Sequence, residues 1–542
     1  MVDSTKLPKA KNSFEDIRKK NQIYVDHTDL IYEFAYLDGP NFLSRPRRFG
    51  KSLLISTLES LFSHGTEYFK GLKLEKLWNE REKGRTYKVI HIDFSSLSFE
   101  DKNELNNQII YVLADRAKHD GVNFPDDYKE RSAGLNLKTL VDAAPSEYVL
   151  LIDEYDYPLT HSLGNKELFE SYRQYLQGFF GAIKAVTGDM RFIFITGVGR
   201  FAKTSVFSQM NNLRDLGLER KFAPLLGYTD DDMHQYFDEY VENAANTLNI
   251  SKEECYSQIK AHYDGYRFHV DNEITLHNPW SVLNFLSAPE NGFKNFWYET
   301  GGAYPTLISK YIRNIQKTPL ESLLKTKCGP QTINQFYDYF DVTPLSILYQ
   351  TGYLTIRTEA NDLGGQSLFL VPPNLEVHSS LVQLYYRDVR KDSLDDDTFY
   401  DFSSALRSNF KNSDYKALIK VFSAALNTFG YDDNEAFNSE HYCRDIIYFT
   451  LSLSGISAQR EVISAKGRAD LVVELTDKRY VFEFKLADTK SSEDKLLEEA
   501  VEQTKDKRYG EILPIKELIR IAVVVNSNEK AVTEWKIVDM GL

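Results

Sequence analysis

Short apolar runs alternate with longer stretches of helical spacing through the first half of the chain. "YKVIHIDFS" from Tyr87, "YVLLIDEYD" from Tyr148 and "RFIFITGVG" from Arg191 are dense in β-branched and aromatic residues and flanked by polar turn residues. Runs of this kind predict strands buried on both faces of a parallel sheet. Helical spacing fills the gaps, as in Lys51 to Ser63 and Leu168 to Val186. Strand, helix and strand repeated in this way predict a right-handed α/β sheet. From about Leu286 to Asn427 the pattern turns to helices and a β-hairpin. There "ILYQTGYLTIRTEANDLGGQSLFLVPPNLEV" reads as a helix end, a strand, a Gly-Gly turn and a second strand. Helix plus hairpin is a winged-helix-like pattern, which would either touch DNA or act as a spacer. A third pattern starts near Asn434, with a helix, "ADLVVEL", "RYVFEFKL", a long charged helix and "LIRIAVVVN". It predicts a compact C-terminal α/β domain. The expected division is residues 1–285, with a helical lid from about 230, then a mainly helical 286–430, then 431–542.

Composition narrows the classes. A chain of 542 residues is too long for one core. Its net charge of −14 argues against general coating of nucleic acid and leaves a local basic groove open. Cys255, Cys328 and Cys443 lie far apart with no Cys-x-x-Cys spacing, which removes a disulfide framework and a thiolate zinc site. With no apolar signal region and no run approaching a membrane span, a cytoplasmic protein without a membrane partner is expected.

The stretch "NFLSRPRRFGKSLLISTLESLF" ends its loop in Gly50-Lys51-Ser52, as a phosphate-binding P-loop does. Lys51 would neutralise phosphate charge and Ser52 would ligate Mg²⁺. The glycine that usually opens such a loop is replaced by Arg45, and Pro46 removes a backbone donor. Arg47 and Arg48 offer side-chain charge in exchange. The competing reading is a basic turn that merely caps a helix. Asp153 and Glu154 sit at the carboxyl end of an apolar strand, where ligands of open α/β sheets bind. Asp153 would hold Mg²⁺ through water and Glu154 would polarise the attacking water, unless the pair only begins a solvated loop. Thr196 ends a third strand, positioned to orient phosphate or water, with Arg200 just beyond it as a source of transition-state charge or as a solvated residue.

In "GRADLVVELTDKRYVFEFKLA", Asp470 opens one strand, and Glu483 and Lys485 share a face of the next by period-two alternation. If the two strands pair, Asp470 approaches that face. Two carboxylates for a metal and a lysine beside the attacking water are the minimum for hydrolysing a phosphodiester. A salt bridge on an exposed sheet face is the plainer alternative. Glu440, opening an amphipathic helix upstream, and Gln503, on a helix downstream, would join the site or remain surface residues.

From about Lys6 to Trp280 the chain resembles the predicted AAA-type ATPase domain of many bacterial proteins. The resemblance rests on "RPRRFGKSLL", "LLIDEYD", "ITGVGRF", "SVFSQMNNLRDL", "YDGYRF" and "HNPWSVLNFL". That family often carries arginine in place of the first loop glycine, and the resemblance implies ATP binding. From about Glu435 to Val525 the chain resembles the PD-(D/E)XK nuclease superfamily, with Glu440, Asp470, Glu483, Lys485 and Gln503 on matching positions and Ala469 in place of the usual proline. The two domains commonly occur together in this order. Their joint implication is a restriction-endonuclease-like domain governed by an ATPase, using ATP and Mg²⁺, with Mn²⁺ as a substitute. The partner would be nucleic acid, DNA before RNA, with a homo-oligomer left open. The alternative is a nucleotide-dependent switch whose nuclease-like domain binds without cutting.

Overall fold

The structure, a computed structural model, describes residues 2–9, 12–162, 165–199, 206–210, 212–299, 324–329, 344–360, 366–385, 405–429, 439–454, 456, 458–464, 467–475, 477–488, 492–511 and 516–538. The chain divides into two compact units, Met1–Asn374 and Leu375–Leu542.

The first unit is built on a five-stranded sheet of β1 (Pro40–Ser44), β2 (Lys88–Asp93), β3 (Tyr148–Asp153), β4 (Phe192–Gly197) and β5 (Arg214–Asp215), in the order β2-β3-β4-β1-β5. Every pairing in it is parallel. The continuous apolar runs are explained by burial, since each residue of β1, β3 and β4 is buried. The Lys51–His64 helix packs on β2 and β3, and its Leu54, Leu58 and Phe62 join Leu151 and Phe194 in one core. After the sheet, the Asp230–Leu248, Lys252–Tyr263 and Pro279–Ser287 helices form a second apolar cluster around Phe237, Ile259 and Phe285.

The expected helix and hairpin are present, as Pro344–Gln350, β7 (Thr355–Ala360) and β8 (Gln366–Val371), with β6 (Thr326–Cys328) added beside β8. The Gly364-Gly365 turn lies outside the described residues. Thr355 exchanges hydrogen bonds with the backbone of Arg267, whose guanidinium donates to Thr358 at 2.9 Å. The hairpin is thereby tied to the "YDGYRF" segment. Gly265 of that segment has φ +96°, and a Cβ there would stand 1.9 Å from the Pro373 carbonyl oxygen. Gly265→Ala is therefore expected to destabilise the first unit by about 2–4 kcal/mol, read as a lower midpoint in urea unfolding. An unchanged midpoint would mean that the Pro373 segment moves aside without cost.

The second unit carries a mixed sheet in the order β13-β12-β11-β10-β9, formed by β9 (Ala458–Ser464), β10 (Gly467–Glu474), β11 (Lys478–Ala487), β12 (Glu517–Asn526) and β13 (Ala531–Ile537). Only β11 and β12 run parallel among these pairs. Phe482 and Phe484 stack along one face of β11, where Phe482 meets Phe422 of the Tyr415–Phe429 helix at 5.4 Å. Alternation along the strand sends Glu483 and Lys485 to the other face, toward the Glu440–Leu453 helix.

Candidate functional site

The loop after β1 turns on two left-handed residues, Arg48 at φ +67° and Gly50 at φ +91°, and Gly50 caps the helix that Lys51 begins. Lys51 is buried, and its ammonium donates to the carbonyls of Arg45 and Pro46 at 3.0 Å each. Burial drives its pKa below the ordinary lysine value, opposed by the charges of Glu154, Asp153 and Asp156. Ser52 hydrogen-bonds to the carboxylate of Asp153, even though β4 separates β1 from β3 in the sheet. Asp153 is 3% exposed. Burial raises its pKa, while the Ser52 hydroxyl and the Lys51 charge pull it back. Glu154 has φ +46°, a strained conformation for a residue with a side chain, and its carboxyl is likewise raised by burial and opposed by Lys51. Lys51, Ser52, Asp153 and Glu154 thus converge at one corner, with Arg47 within electrostatic reach of both Lys51 and Glu154. Arg48 stacks 4.0 Å over the Trp280 ring and also feels Glu154.

Two residues face elsewhere. The Arg45 guanidinium donates to the carbonyls of Ser44, Phe222 and Ala223 at 3.0–3.4 Å and lies 4.2 Å over Phe268. Its length carries it under the loop, so it anchors the backbone and does not reach toward a phosphate. The Thr196 hydroxyl donates to the Leu43 carbonyl at 2.8 Å, closing a bond inside the sheet instead of facing the crevice. Arg200 lies outside the described residues.

Beside Gly50 opens a small apolar cleft of about 80 Å³, lined by Tyr24, Val25, Leu53, Leu226, Tyr228 and Pro279 among others. Phe49 wedges between this cleft and the rings of Tyr266 and Phe268. Sequence reasoning passed over Tyr155 and Asp156. Asp156 accepts from the amides of Val198 and Gly199, and the Tyr155 hydroxyl donates to the Gly199 carbonyl at 2.8 Å. They fasten the loop after β4 to the end of β3.

In the second unit β10 and β11 pair antiparallel through Leu471↔Phe482. Just beyond, where the strands part, Asp470 Oδ2 accepts the Phe484 amide at 2.9 Å. Lys485 Nζ lies 3.7 Å from Glu483 Oε1 and 3.6 Å from Glu440 Oε1. Glu483 is 1% exposed, so an ion pair on an open sheet face does not describe it. Its second oxygen, Oε2, is buried with no hydrogen-bond partner. Burial first, then the charge of Asp470, push its carboxyl up to about 8, with Lys485 opposing. Burial also raises Asp470 and Glu440. Three carboxyls crowded round one lysine, with an oxygen lacking any partner, suit a divalent cation held by Asp470 and Glu483.

Gln503 donates to the Tyr509 hydroxyl at 3.2 Å, and Tyr509 is within electrostatic reach of Glu483 and Asp470. Arg444 was not foreseen. Buried beside Asp470, whose carboxyl it helps to ionise, Arg444 pairs with Asp445 and Glu461. Its only sequence signal was a charge on the apolar side of the helix that Glu440 opens.

Comparison with known proteins agrees with this division. Residues 8–207 match the family model described as "Predicted AAA-ATPase", and residues 438–535 match that of the PD-(D/E)XK nuclease superfamily. The chain is also similar to an "Uncharacterized protein in vnfD 5'region" of Azotobacter chroococcum mcd 1, at 28% identity over 514 residues that cover 93% of each chain. Domains of these two kinds generally use nucleotide and a divalent metal, and together they support a nucleotide-dependent nuclease. No helix among the described residues is long and apolar enough to cross a membrane. The chain carries an AAA-ATPase-like domain followed by a PD-(D/E)XK nuclease superfamily domain.

Proposed function

We propose that the protein is an ATP-binding, Mg²⁺-dependent nuclease of the cytoplasm that cleaves nucleic acid, DNA before RNA, under the control of its N-terminal domain. The observation that carries this reading is Glu483, a buried carboxyl with one unpartnered oxygen, set between Asp470 and Lys485. Binding domains have no use for so costly a group. Asp470 and Glu483 are the residues that would hold Mg²⁺, which would supply charge neutralisation and a more acidic water. Lys485, steered by Glu440 and Glu483, holds positive charge beside the attacking water. Gln503, fixed through Tyr509, orients the edge of the same site.

In the first unit the apolar side chains beside Gly50, Tyr24, Leu53, Leu226 and Tyr228 among them, offer the adenine its nearest apolar surface. Lys51 exchanges its two loop carbonyls for phosphate oxygens, with Arg47 adding charge. Ser52 and Asp153 are the residues that would hold Mg²⁺ there, and Glu154 positions the water.

The test is incubation with plasmid, linear and single-stranded DNA and with RNA, with and without Mg²⁺ and ATP, across a pH series. Cleavage should require the metal. Because Glu483 must lose a proton to hold a cation, Mg²⁺ affinity should fall about tenfold per pH unit below about 8 and level off above it. Intact substrate under every condition would overturn the proposal, and pH-independent Mg²⁺ binding would remove Glu483 from it.

A further inference from the structure

The helical region after the ATPase sheet gathers three side chains that the proposed function leaves unused. Asp230 opens the Asp230–Leu248 helix, Asp264 follows the Lys252–Tyr263 helix, and His277 precedes the Pro279–Ser287 helix. One ligand-capable atom of each lies within 4.8 Å of the other two. Asp264 is 3% exposed and His277 2%, whereas Asp230 opens to solvent.

The surroundings leave one atom of each residue in reserve. Thr275 donates to Asp264 Oδ2 at 2.8 Å, while Asp264 Oδ1 is buried without a hydrogen-bond partner. His277 Nδ1 lies 3.3 Å from the Tyr228 carbonyl, so the ring proton is assigned to Nδ1 to make that bond. The lone pair then falls on Nε2, 3.7 Å from Asp230 Oδ1. Lys260 pairs with the other oxygen of Asp230. An imidazole that donates one N–H to a carbonyl and presents the other nitrogen is the usual posture of a metal-ligating histidine. A plain ion pair is a weaker account, because His277 Nδ1 and Asp264 Oδ1 are 3.6 Å apart, too far for a hydrogen bond, and Asp264 Oδ1 would stay unsatisfied.

We propose that Asp230, Asp264 and His277 form a divalent transition-metal site, best matched to zinc, that staples the two lid helices to the segment leading into Pro279. One imidazole and two carboxylates with a water suit four-coordinate zinc, whose ligand atoms stand ~3.3 Å apart. Asp230 Oδ1 is 3.7 Å from His277 Nε2, and the three ligand atoms all fall within 4.8 Å of one another. The staple lies just behind Tyr228 and Pro279 of the apolar cleft, so metal would stiffen that wall.

The test uses chelator-treated full-length protein, loaded with ZnCl₂, desalted and assayed for bound zinc, with isothermal titration alongside. Wild type should retain one more zinc equivalent than Asp230→Asn and His277→Gln, and Asp470→Asn should retain that equivalent. Zinc should raise the melting temperature of wild type by more than that of Asp230→Asn. Asp230 is half exposed, so its variant should fold and decides the matter if His277→Gln does not. Zinc content and affinity equal in wild type and Asp230→Asn would overturn the proposal. Binding weakened at least ~10-fold in Asp230→Asn would support it.

Discussion

Lys485→Ala should lower phosphodiester cleavage roughly 10²–10³-fold, the loss typical when one preorganised charge at a reacting centre is removed. The ammonium has two tasks in this geometry. It stands 3.6–3.7 Å from Glu440 and Glu483, where it places positive charge at the site, and it is one of the charges that help Glu483 to ionise. Without it the Glu483 carboxyl, already held near 8, rises further, and metal binding weakens at neutral pH. Raising the pH and the Mg²⁺ concentration separates these tasks. The part of the loss that comes from metal binding should recover, and the part that comes from the reacting centre should persist. Single-turnover cleavage at pH 7 and pH 9 reads both. Activity within about threefold of wild type at both pH values would take Lys485 out of the chemistry. It would also favour the reading in which the domain binds nucleic acid without cutting.

Lys51→Ala and Glu154→Gln should split nucleotide binding from turnover. Lys51 is a buried cation facing Glu154, Asp153 and Asp156, and losing it leaves three acids around a site meant for phosphate. ATP affinity is expected to drop by about two orders of magnitude or more, consistent with loss of a buried charged partner. Glu154→Gln keeps the size of the side chain and removes its ability to accept a proton. Binding should stay within a few-fold of wild type, while hydrolysis falls about 10²–10⁴-fold. Fluorescent-nucleotide binding and phosphate release measure the two quantities. Equal ATP affinity in wild type and Lys51→Ala would dismiss the nucleotide reading of this corner. Turnover of the wild type itself should be slow, because Lys51 must leave its two loop carbonyls before it meets a phosphate. Tens of turnovers per second without nucleic acid would contradict that expectation.

What could be read from the sequence was local. Strands β3 and β4 are buried on both faces, so their apolar runs were unambiguous, and an acid at the end of such a run has few reasons to be there. Glu483 and Lys485 shared a face because a strand has no other option at that spacing. What could not be read depended on distant partners. Arg45 is turned by carbonyls that lie 177 and 178 residues away, and Thr196 by a carbonyl 153 residues away. His277 had no ligand spacing of its own, since Asp230 and Asp264 meet it only after two helices have folded. Strands β9 and β13 at the sheet edges went unnoticed, because partly exposed residues weaken the apolar run that marks a buried strand.

The lodging of Arg45 changes what a search for such loops should demand. A pattern that insists on glycine at this position rejects chains whose loop is held from beneath by a guanidinium reaching three carbonyls. It would also invite an engineer to restore the glycine, which would strip those carbonyls of their donor and empty the space beneath Phe268. The transferable signature is a pair: a long cation where the loop leaves its strand, and an aromatic such as Phe49 just ahead of Gly50, both seated on the rings of a later segment.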